Sequence, residues 1–391
     1  MKVLFFLGFP NPFLGAAWTR IGFFADQWSK NGHSIEILGI FNYTSLKKRG
    51  ARRFGKVNIF NLIFHIGVNS PSIFILNSLV SFIISMVFLL ARRPDIVIIS
   101  VPTGDTGIGA MMACKLMRVR YVIDYRDEWE NYAINLASGK SGKLFYSAIK
   151  KFATILYAGG RTIMAVTTNF EKSLIKRGLR NVRLVPNGAD IQTFKPLNIR
   201  KTREDFIIFY SGSIGGYYRL DIVVKALKRL IDKGLNNIRL VIAGAGEIQK
   251  ILNLAKKLGL SNHVKYAGSI YDKSKLASLM TKADAGIIPF DDNPLWKNAI
   301  PAKFYEYCAC GLPVIATVHN DSHLQELIEK YKVGVTSPPC NEEKLAEAIY
   351  WLYENKPFRE IAGKRARQLI EEKFDRSKIA KKCLNIIENM L

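Results

Sequence analysis

Lys303 and Glu306 stand three residues apart in the stretch Asn298-Ala299-Ile300-Pro301-Ala302-Lys303-Phe304-Tyr305-Glu306-Tyr307-Cys308-Ala309-Cys310-Gly311-Leu312-Pro313-Val314. That spacing puts an ammonium and a carboxylate on one helical face. Pro301 suits the first turn of a helix, where a missing N–H costs nothing, and Gly311 suits its end. Free N–H groups near Ala302 and Lys303 can then meet a phosphate. Lys303 can neutralise a diphosphate, and the Glu306 carboxylate can accept both hydroxyls of a ribose. The same residues also fit an amphipathic helix leading into a buried strand, and the segment alone leaves both readings open.

Three further groups carry chemistry-bearing types. The turn Tyr210-Ser211-Gly212-Ser213-Ile214-Gly215-Gly216 is rich in small residues, so backbone N–H groups at Gly212, Ser213 and Gly215 can approach phosphate oxygens; a flexible turn is the plain alternative. The run Asp124-Tyr125-Arg126-Asp127-Glu128-Trp129 packs acids, a base and aromatics directly off a strand. Asp127 is its candidate reactive acid, with a structural ion pair to Arg126 or another base as the equal alternative. Gly15, Ala16 and Arg20 open a first helix, where N–H groups and a cation can meet a phosphate. His33 reads as structural, and Glu247 after Gly244 and Gly246 reads as a helix-start carboxylate.

The elements that must position these groups follow from the apolar pattern. Short apolar runs at 2–7, 34–40, 57–63, 96–101, 121–125, 163–166 and 183–185 alternate with helical segments, and the pattern restarts at 206–210, 238–243, 264–266, 285–288, 314–316 and 334–336. Such alternation predicts two doubly wound parallel sheets covered by helices. Gln192 to Asp205, with Pro196 and mixed charge, reads as a linker, dividing the chain into domains at 1–192 and 193–375 with a closing amphipathic helix over 376–391.

Composition narrows the partners. The chain has 57 Lys and Arg against 32 Asp and Glu, a net charge of +25, so its surface attracts something anionic. Without zinc-like Cys/His spacing, an aromatic RNP-type run or a helix with bases at groove-reading intervals, nucleic acid is not the expected partner and no metal site is expected. Five scattered cysteines, an odd number, point to free thiols in a reducing compartment. The run from Met1 to Gly8 is too short for a signal peptide and reads as a first buried strand, which places the expected location in the cytoplasm.

One segment departs from the pattern. From Ile73 to Leu90 eighteen residues carry no charge, interrupted only by Asn77, Ser78, Ser81 and Ser85. A membrane span needs about 20 apolar residues and would cut the first strands from their own sheet. Basic residues flank the segment, Lys47, Lys48, Arg49, Arg52 and Arg53 before it and Arg92 and Arg93 after it. The expectation is a helix lying in an anionic membrane surface, with a helix buried under the sheet as the alternative.

The 298–316 segment resembles the P-x-K-x-x-E signature of retaining glycosyltransferases of family four. Further matches are Gly32-His33-Ser34-Ile35, Val185-Pro186-Asn187-Gly188-Ala189-Asp190, the 210–215 turn and Ala243-Gly244-Ala245-Gly246. The resemblance implies the α/β GT-B fold, two Rossmann-like domains facing a cleft, and retaining transfer of a sugar from a nucleotide-diphosphate sugar without cofactor or metal. It assigns Gly212, Ser213, Gly215, Arg219, Ile300, Ala302, Lys303 and Glu306 to the donor, and Gly268, Ser269 and Ile270 to its base through main-chain groups. Asp127 resembles the family's acidic or histidine position near the reacting sugar, and Gly15, Ala16, Arg20 and Arg126 fall at the acceptor. Asn298 stands where the family carries the first of two paired glutamates, so a hydrogen-bonding amide replaces a negative charge there. The acceptor implied is lipid-linked or a glycan, at the inner face of the cell membrane. The alternative keeps the fold without the chemistry, as an inactive nucleotide-sugar-binding subunit of a polysaccharide assembly complex.

Overall fold

The apolar runs become parallel strands, and the central ones, such as those over 96–101, 121–125, 285–289 and 314–317, are buried on both faces, as helices packed on either side require. A computed structural model describes residues 1–12, 15–102, 104–197 and 205–390. The chain divides into one unit of Met1–Pro186 with Ser377–Leu391, and a second of Asn187–Arg376. Part of the expected linker, 198–204, lies outside the described residues.

The first unit is built on β1 (Lys2–Leu7), β2 (Ser34–Phe41), β3 (Gly50–Phe54), β4 (Val57–Phe64), β5 (Ile96–Val101), β6 (Tyr121–Tyr125), β7 (Thr162–Ala165) and β8 (Val182–Leu184). They lie in the order β3-β4-β2-β1-β5-β6-β7-β8, reversing direction of growth between β1 and β5. Side chains alternate across the sheet with the period of two that a strand imposes: Leu4 and Phe6 enter one core, Val3, Phe5 and Leu7 the other. The second core also takes Ile379, Ala380, Cys383, Leu384 and Ile387 from the helix Arg376–Glu388. Trp28 Nε1 donates to the Ala380 carbonyl at 3.0 Å and ties that helix down.

β3 is the strand the sequence pattern does not reveal. It pairs antiparallel with β4 around Gly55, whose φ is +57°, and its residues Ala51, Arg52, Arg53 and Phe54 are exposed. With no buried face it has no apolar alternation, and its charges protect a sheet edge instead.

The uncharged segment forms the helix Pro71–Arg92, capped by the Ser70 side chain at Ile73 N. It is long and apolar enough to cross a membrane by length and composition, yet it packs within this unit with its polar side inward. Asn77, Ser81 and Ser85 are buried, while Ile75, Leu76, Leu79, Ile83, Val87 and Leu90 are exposed. Asn77, Ser78 and Ser81 bond to the neighbouring helix Gly104–Leu116, while the Ser85 hydroxyl is buried without a hydrogen-bond partner. Asn77 Nδ2 donates to Asp105 Oδ2 at 2.7 Å, Ser78 Oγ to the Asp105 carbonyl at 3.0 Å and Ser81 Oγ to the Thr106 carbonyl at 2.6 Å. Small residues let the two backbones approach closely, and a Cβ on Gly109 would fall 2.2 Å from the Ser78 carbonyl oxygen. Gly109→Val should therefore destabilise the protein by about 1–3 kcal/mol, read as a lowered melting temperature; an unchanged value would refute the close approach.

The second unit has β9 (Phe206–Ser211), β10 (Ile238–Ala243), β11 (Val264–Tyr266), β12 (Ala285–Pro289), β13 (Val314–Thr317) and β14 (Gly334–Ser337), all parallel, in the order β11-β10-β9-β12-β13-β14. The order reverses between β9 and β12. In such a sheet ligands bind outside the carboxyl ends of the strands at that reversal.

Candidate active site

β9 runs into the small-residue turn at that point. Tyr307 OH accepts from Ser211 N at 2.9 Å and Gly212 N donates to the Ala243 carbonyl at 3.0 Å, which lays the turn against the loop after β10. The packing leaves no room for side chains: a Cβ on Gly244 would fall 1.8 Å from the Gly212 carbonyl oxygen. Gly212 and Gly215 have φ of +129° and +97°, in the region that favours glycine. Tyr210 OH donates to the Ser213 carbonyl and closes the turn from below.

The helix Ala302–Ala309 follows, with Pro301 as its N-cap residue and Gly311, at φ +73°, just beyond its end. Lys303 and Glu306 are 6% and 4% exposed. Lys303 Nζ sits 3.4 Å from the Tyr218 ring centre and 4.0 Å from that of Tyr210, without a hydrogen-bond partner. It lies against the glycine turn, since a Cβ on Gly212 would come within 3.0 Å of it. Burial holds the ammonium well below the usual lysine range, and the Glu306 charge works in the opposite direction. Two ring faces recover part of the lost hydration, cation–π contacts being worth about 2 kcal/mol when desolvated. The side chain thus ends, without a hydrogen bond, beside the turn of small residues.

Glu306 has a partner the sequence does not announce. Its Oε1 accepts from Lys273 Nζ at 3.1 Å, and Lys273 opens the helix Lys273–Met280 in the loop region after β11. Its signal in the sequence is its place beyond the carboxyl end of a strand, outside the 298–316 motif.

The remaining donor-side residues fall as follows. Gly268 accepts from Gly244 N through its carbonyl at 3.0 Å, and Ser269 Oγ donates to the Gly244 carbonyl at 3.0 Å, so both border the two glycine loops. Ile270 packs against the core, and Ile300 is buried in it, which leaves their backbones alone to face a ligand. Ala302 is the first helical residue, and Asn298 is half-buried at the end of the short turn Pro294–Asn298. Arg219 is engaged elsewhere than at a phosphate. Its Nε and Nη2 form a fork with Asp221 at 2.8 and 2.7 Å, Nη1 donates to Cys340 Sγ at 3.3 Å, and the Asp221 contact raises its pKa. Asp221, two residues along at the start of a helix, captures the guanidinium before any ligand can.

In the first unit, Arg20 is a buried tether and not an anion receptor. It donates to Asp124 Oδ1 from Nε and Nη2 at 3.1 and 3.0 Å, and to the carbonyls of Pro186 and Val185 at 2.7 and 2.9 Å. Gly15 is the N-cap residue of the helix Ala16–Lys30, its carbonyl accepting from Thr19 Oγ1 at 3.0 Å, and Ala16 is exposed beside it. Arg126 bonds Ser100 Oγ at 2.8 Å and pairs with Asp124 at 3.5 Å, while its Nη2 is buried without a partner. Burial lowers its pKa, with Asp124 opposing. The expected alternative, an Arg126–Asp127 pair, gives way to Arg126–Asp124. Glu128 and Glu130 are tied to Ser173 and Arg177, at 2.7 and 3.1 Å. Asp127 keeps an exposed face, yet loss of hydration pushes its carboxyl up to about 6, with Arg126 opposing and Glu128 and Glu130 reinforcing the rise. The exposed face limits how far that rise can go. Sequence reasoning also missed His65, whose Nε2 lies 2.9 Å from Asp105 Oδ2 in the polar seam under the 71–92 helix.

The fold class is the one implied by the resemblance, GT-B with two Rossmann-like parallel-sheet α/β domains. Sucrose-phosphate synthase from Thermosynechococcus elongatus superposes with a TM-score of 0.77 at 14% identity, over 100% of this chain and 99% of that one. Anabaena HepE in complex with UDP and glucose does so with a TM-score of 0.73 at 16% identity, over all of both chains. Residues 192–369, nearly all of the second unit, match the family of glycosyl transferases group 1. The GDP-mannose-dependent alpha-(1-6)-phosphatidylinositol dimannoside mannosyltransferase of Mycobacterium tuberculosis is 31% identical over 194 residues, 46% of this chain and 48% of that protein. The chain spans about half the length of the curated relatives it matches.

Proposed function

We propose that the protein is a retaining glycosyltransferase that moves a sugar from a nucleotide-diphosphate sugar to a lipid-linked or glycan acceptor, without cofactor or metal. The observation that carries this is the buried, unpartnered Lys303 ammonium against the Gly212 turn, at the reversal point of a group 1 glycosyltransferase domain. A diphosphate leaving group gains negative charge as the glycosidic bond breaks, and a desolvated cation already in place stabilises that charge without reorganisation. Glu306 takes the ribose hydroxyls, and the N–H groups of Ser213 and Gly215 take phosphate oxygens, those of Gly212 and Ile214 being spent on the carbonyls of Ala243 and Ala245. Asp127 and the free edge of Arg126 receive the acceptor. A relative that acts on phosphatidylinositol dimannoside and a structural neighbour that holds UDP and glucose support this choice of substrate classes.

A thermal-shift screen of UDP-, GDP- and dTDP-sugars tests the reading first, because it needs no acceptor; no stabilisation by any nucleotide would overturn it. Incubation with donor and a lipid-linked acceptor then separates a transferase from a binding subunit, which takes nucleotide and makes no product. Anomeric configuration of the product, and activity persisting in chelator, test retention and metal independence.

Asp127 supplies a pH prediction. Its carboxyl is ionised above about 6, and only the ionised form accepts a hydrogen bond from an acceptor hydroxyl through both oxygens. Transfer should fall as pH drops through 6, and Asp127→Asn should remove that limb while lowering the rate roughly 10²-fold. An unchanged profile in the variant would take Asp127 out of the reaction.

The location we propose is peripheral, on the anionic inner face of the cell membrane. The inverted 71–92 helix supports it: its polar residues are spent inside the fold and its apolar residues face outward. In water that stripe gains nothing from exposure; in a lipid headgroup boundary it is buried.

A further inference from the structure

We propose that Lys273 is a positioning residue for the donor: it fixes the Glu306 carboxylate in the orientation that grips the nucleotide ribose. The proposal rests on the donor reading above and adds to it a residue outside the 298–316 motif. Glu306 lies buried, and a buried carboxylate needs a charged or hydrogen-bonding partner to hold it. The lysine on its own helix is not that partner, because Lys303 Nζ is enclosed between the Tyr210 and Tyr218 rings and makes no hydrogen bond. Lys273 reaches in from a different helix and meets Oε1 at 3.1 Å.

Two features make this contact more than a surface ion pair. First, the arrangement is asymmetric: the Lys273 side chain is 44% exposed and that of Glu306 6%. Lys273 therefore gives up little hydration, whereas Glu306 depends on it. Second, Lys273 is anchored at its base, since Asp272 caps the helix by accepting from Ser274 N and Lys275 N at 2.9 and 3.2 Å. A carboxylate oxygen has two acceptor sites, so Oε1 held by Lys273 still presents a site to a ribose hydroxyl, with Oε2 turned to the second. Without the lysine the side chain is free to rotate away, and the ribose loses a preorganised acceptor.

The test uses calorimetric binding of UDP, GDP and dTDP, and of the 2′,3′-dideoxynucleoside diphosphate of whichever base binds, to the full chain. Lys273→Met should weaken binding of the ribonucleotide about 10- to 100-fold, as loss of a charge-assisted grip on two hydroxyls requires. Lys273→Arg, which keeps the cation, should bind within about threefold of the wild type on the same scale. Lys273→Arg should leave the melting temperature unchanged, whereas Lys273→Met should lower it, because the buried Glu306 carboxylate is left without its partner. The dideoxynucleotide, which has no hydroxyls for Glu306, should bind wild type and Lys273→Met equally. Equal losses for the ribo- and dideoxynucleotides would mean that Lys273 touches phosphate directly, and would overturn the positioning role while leaving the donor site standing. No loss in Lys273→Met would overturn it as well. If the wild type binds no nucleoside diphosphate, the donor reading falls first and this proposal with it.

Discussion

Lys303→Met should abolish sugar transfer, by roughly 10²- to 10³-fold in rate, while leaving the melting temperature unchanged or raising it. The two halves of that outcome come from one geometry. Lys303 Nζ is buried between two tyrosine rings without a hydrogen bond, so the folded protein carries a cation that nothing but ring faces and a nearby carboxylate compensate. Methionine fills the same space without that cost. The sign can be followed with pH. Because burial holds the folded-state value well below the usual range, the unfolded chain binds more protons at Lys303 than the folded one over the interval between them. Wild-type stability should then rise with pH across that interval, up to the ordinary lysine value of about 10.4. Lys303→Met should lack this contribution, so its advantage should be largest at low pH and vanish near the top of the interval. Chemical denaturation from neutral to alkaline pH measures it; full activity in the variant, or a large drop in melting temperature, would refute the assignment. Glu306→Gln should cost donor binding through the ribose without the gain in stability.

Ile83→Glu combined with Val87→Glu should strip the protein from vesicles rich in phosphatidylglycerol, by about 100-fold or more in partitioning. The estimate follows from about 1.5–3 kcal/mol for each large aliphatic side chain withdrawn from water. Both residues are more than half exposed, at 56% and 60%, so the fold should not register the change. Charge counts for less: one cation near an anionic surface is worth about 1 kcal/mol, so reversal of the exposed Arg93 should weaken binding only by a factor of ten or so. Arg92 is no test of the membrane, because its guanidinium lies 4.6 Å over the Phe60 ring and 3.7 Å from Glu36. Undiminished flotation of the double variant would remove the outward stripe from consideration.

How far the sequence could be read depends on whether a property is local. Strands such as Lys2–Leu7, Ile96–Val101 and Ala285–Pro289 are buried on both faces and declare themselves as runs rich in apolar residues. The strand Gly50–Phe54 has no buried face and leaves no such trace. The helix Pro71–Arg92 shows the limit well: its length and apolar character are legible, but Asn77, Ser81 and Ser85, one turn apart, look like a stripe for water. Asn77 and Ser81 face inward because Asp105 and Thr106, on another helix, supply their hydrogen bonds. In the candidate site, Lys303, Glu306 and the 210–216 turn are legible because proline, glycine and charge are spaced within one stretch. Lys273 with Glu306, and Arg20 with Asp124, pair across 33 and 104 residues, and only strand order brings them together. For the same reason Arg20, open to a phosphate in the sequence, is spoken for in three dimensions, whereas Arg219 is held by its near neighbour Asp221.

The helix that covers Val3, Phe5 and Trp28 is drawn from Arg376–Glu388, far downstream of everything else in its unit. A ribosome therefore releases the inserted unit whole, able to close on itself, while the half made first still lacks one of the helices that cover this side of its sheet, the helix Ala16–Lys30 alone being in place. Maturation runs from the middle outward, and during that delay the opening strands are an aggregation hazard and a natural client for chaperones. Messages cut short after Arg376 should yield chains whose second unit is sound and whose beginning is not.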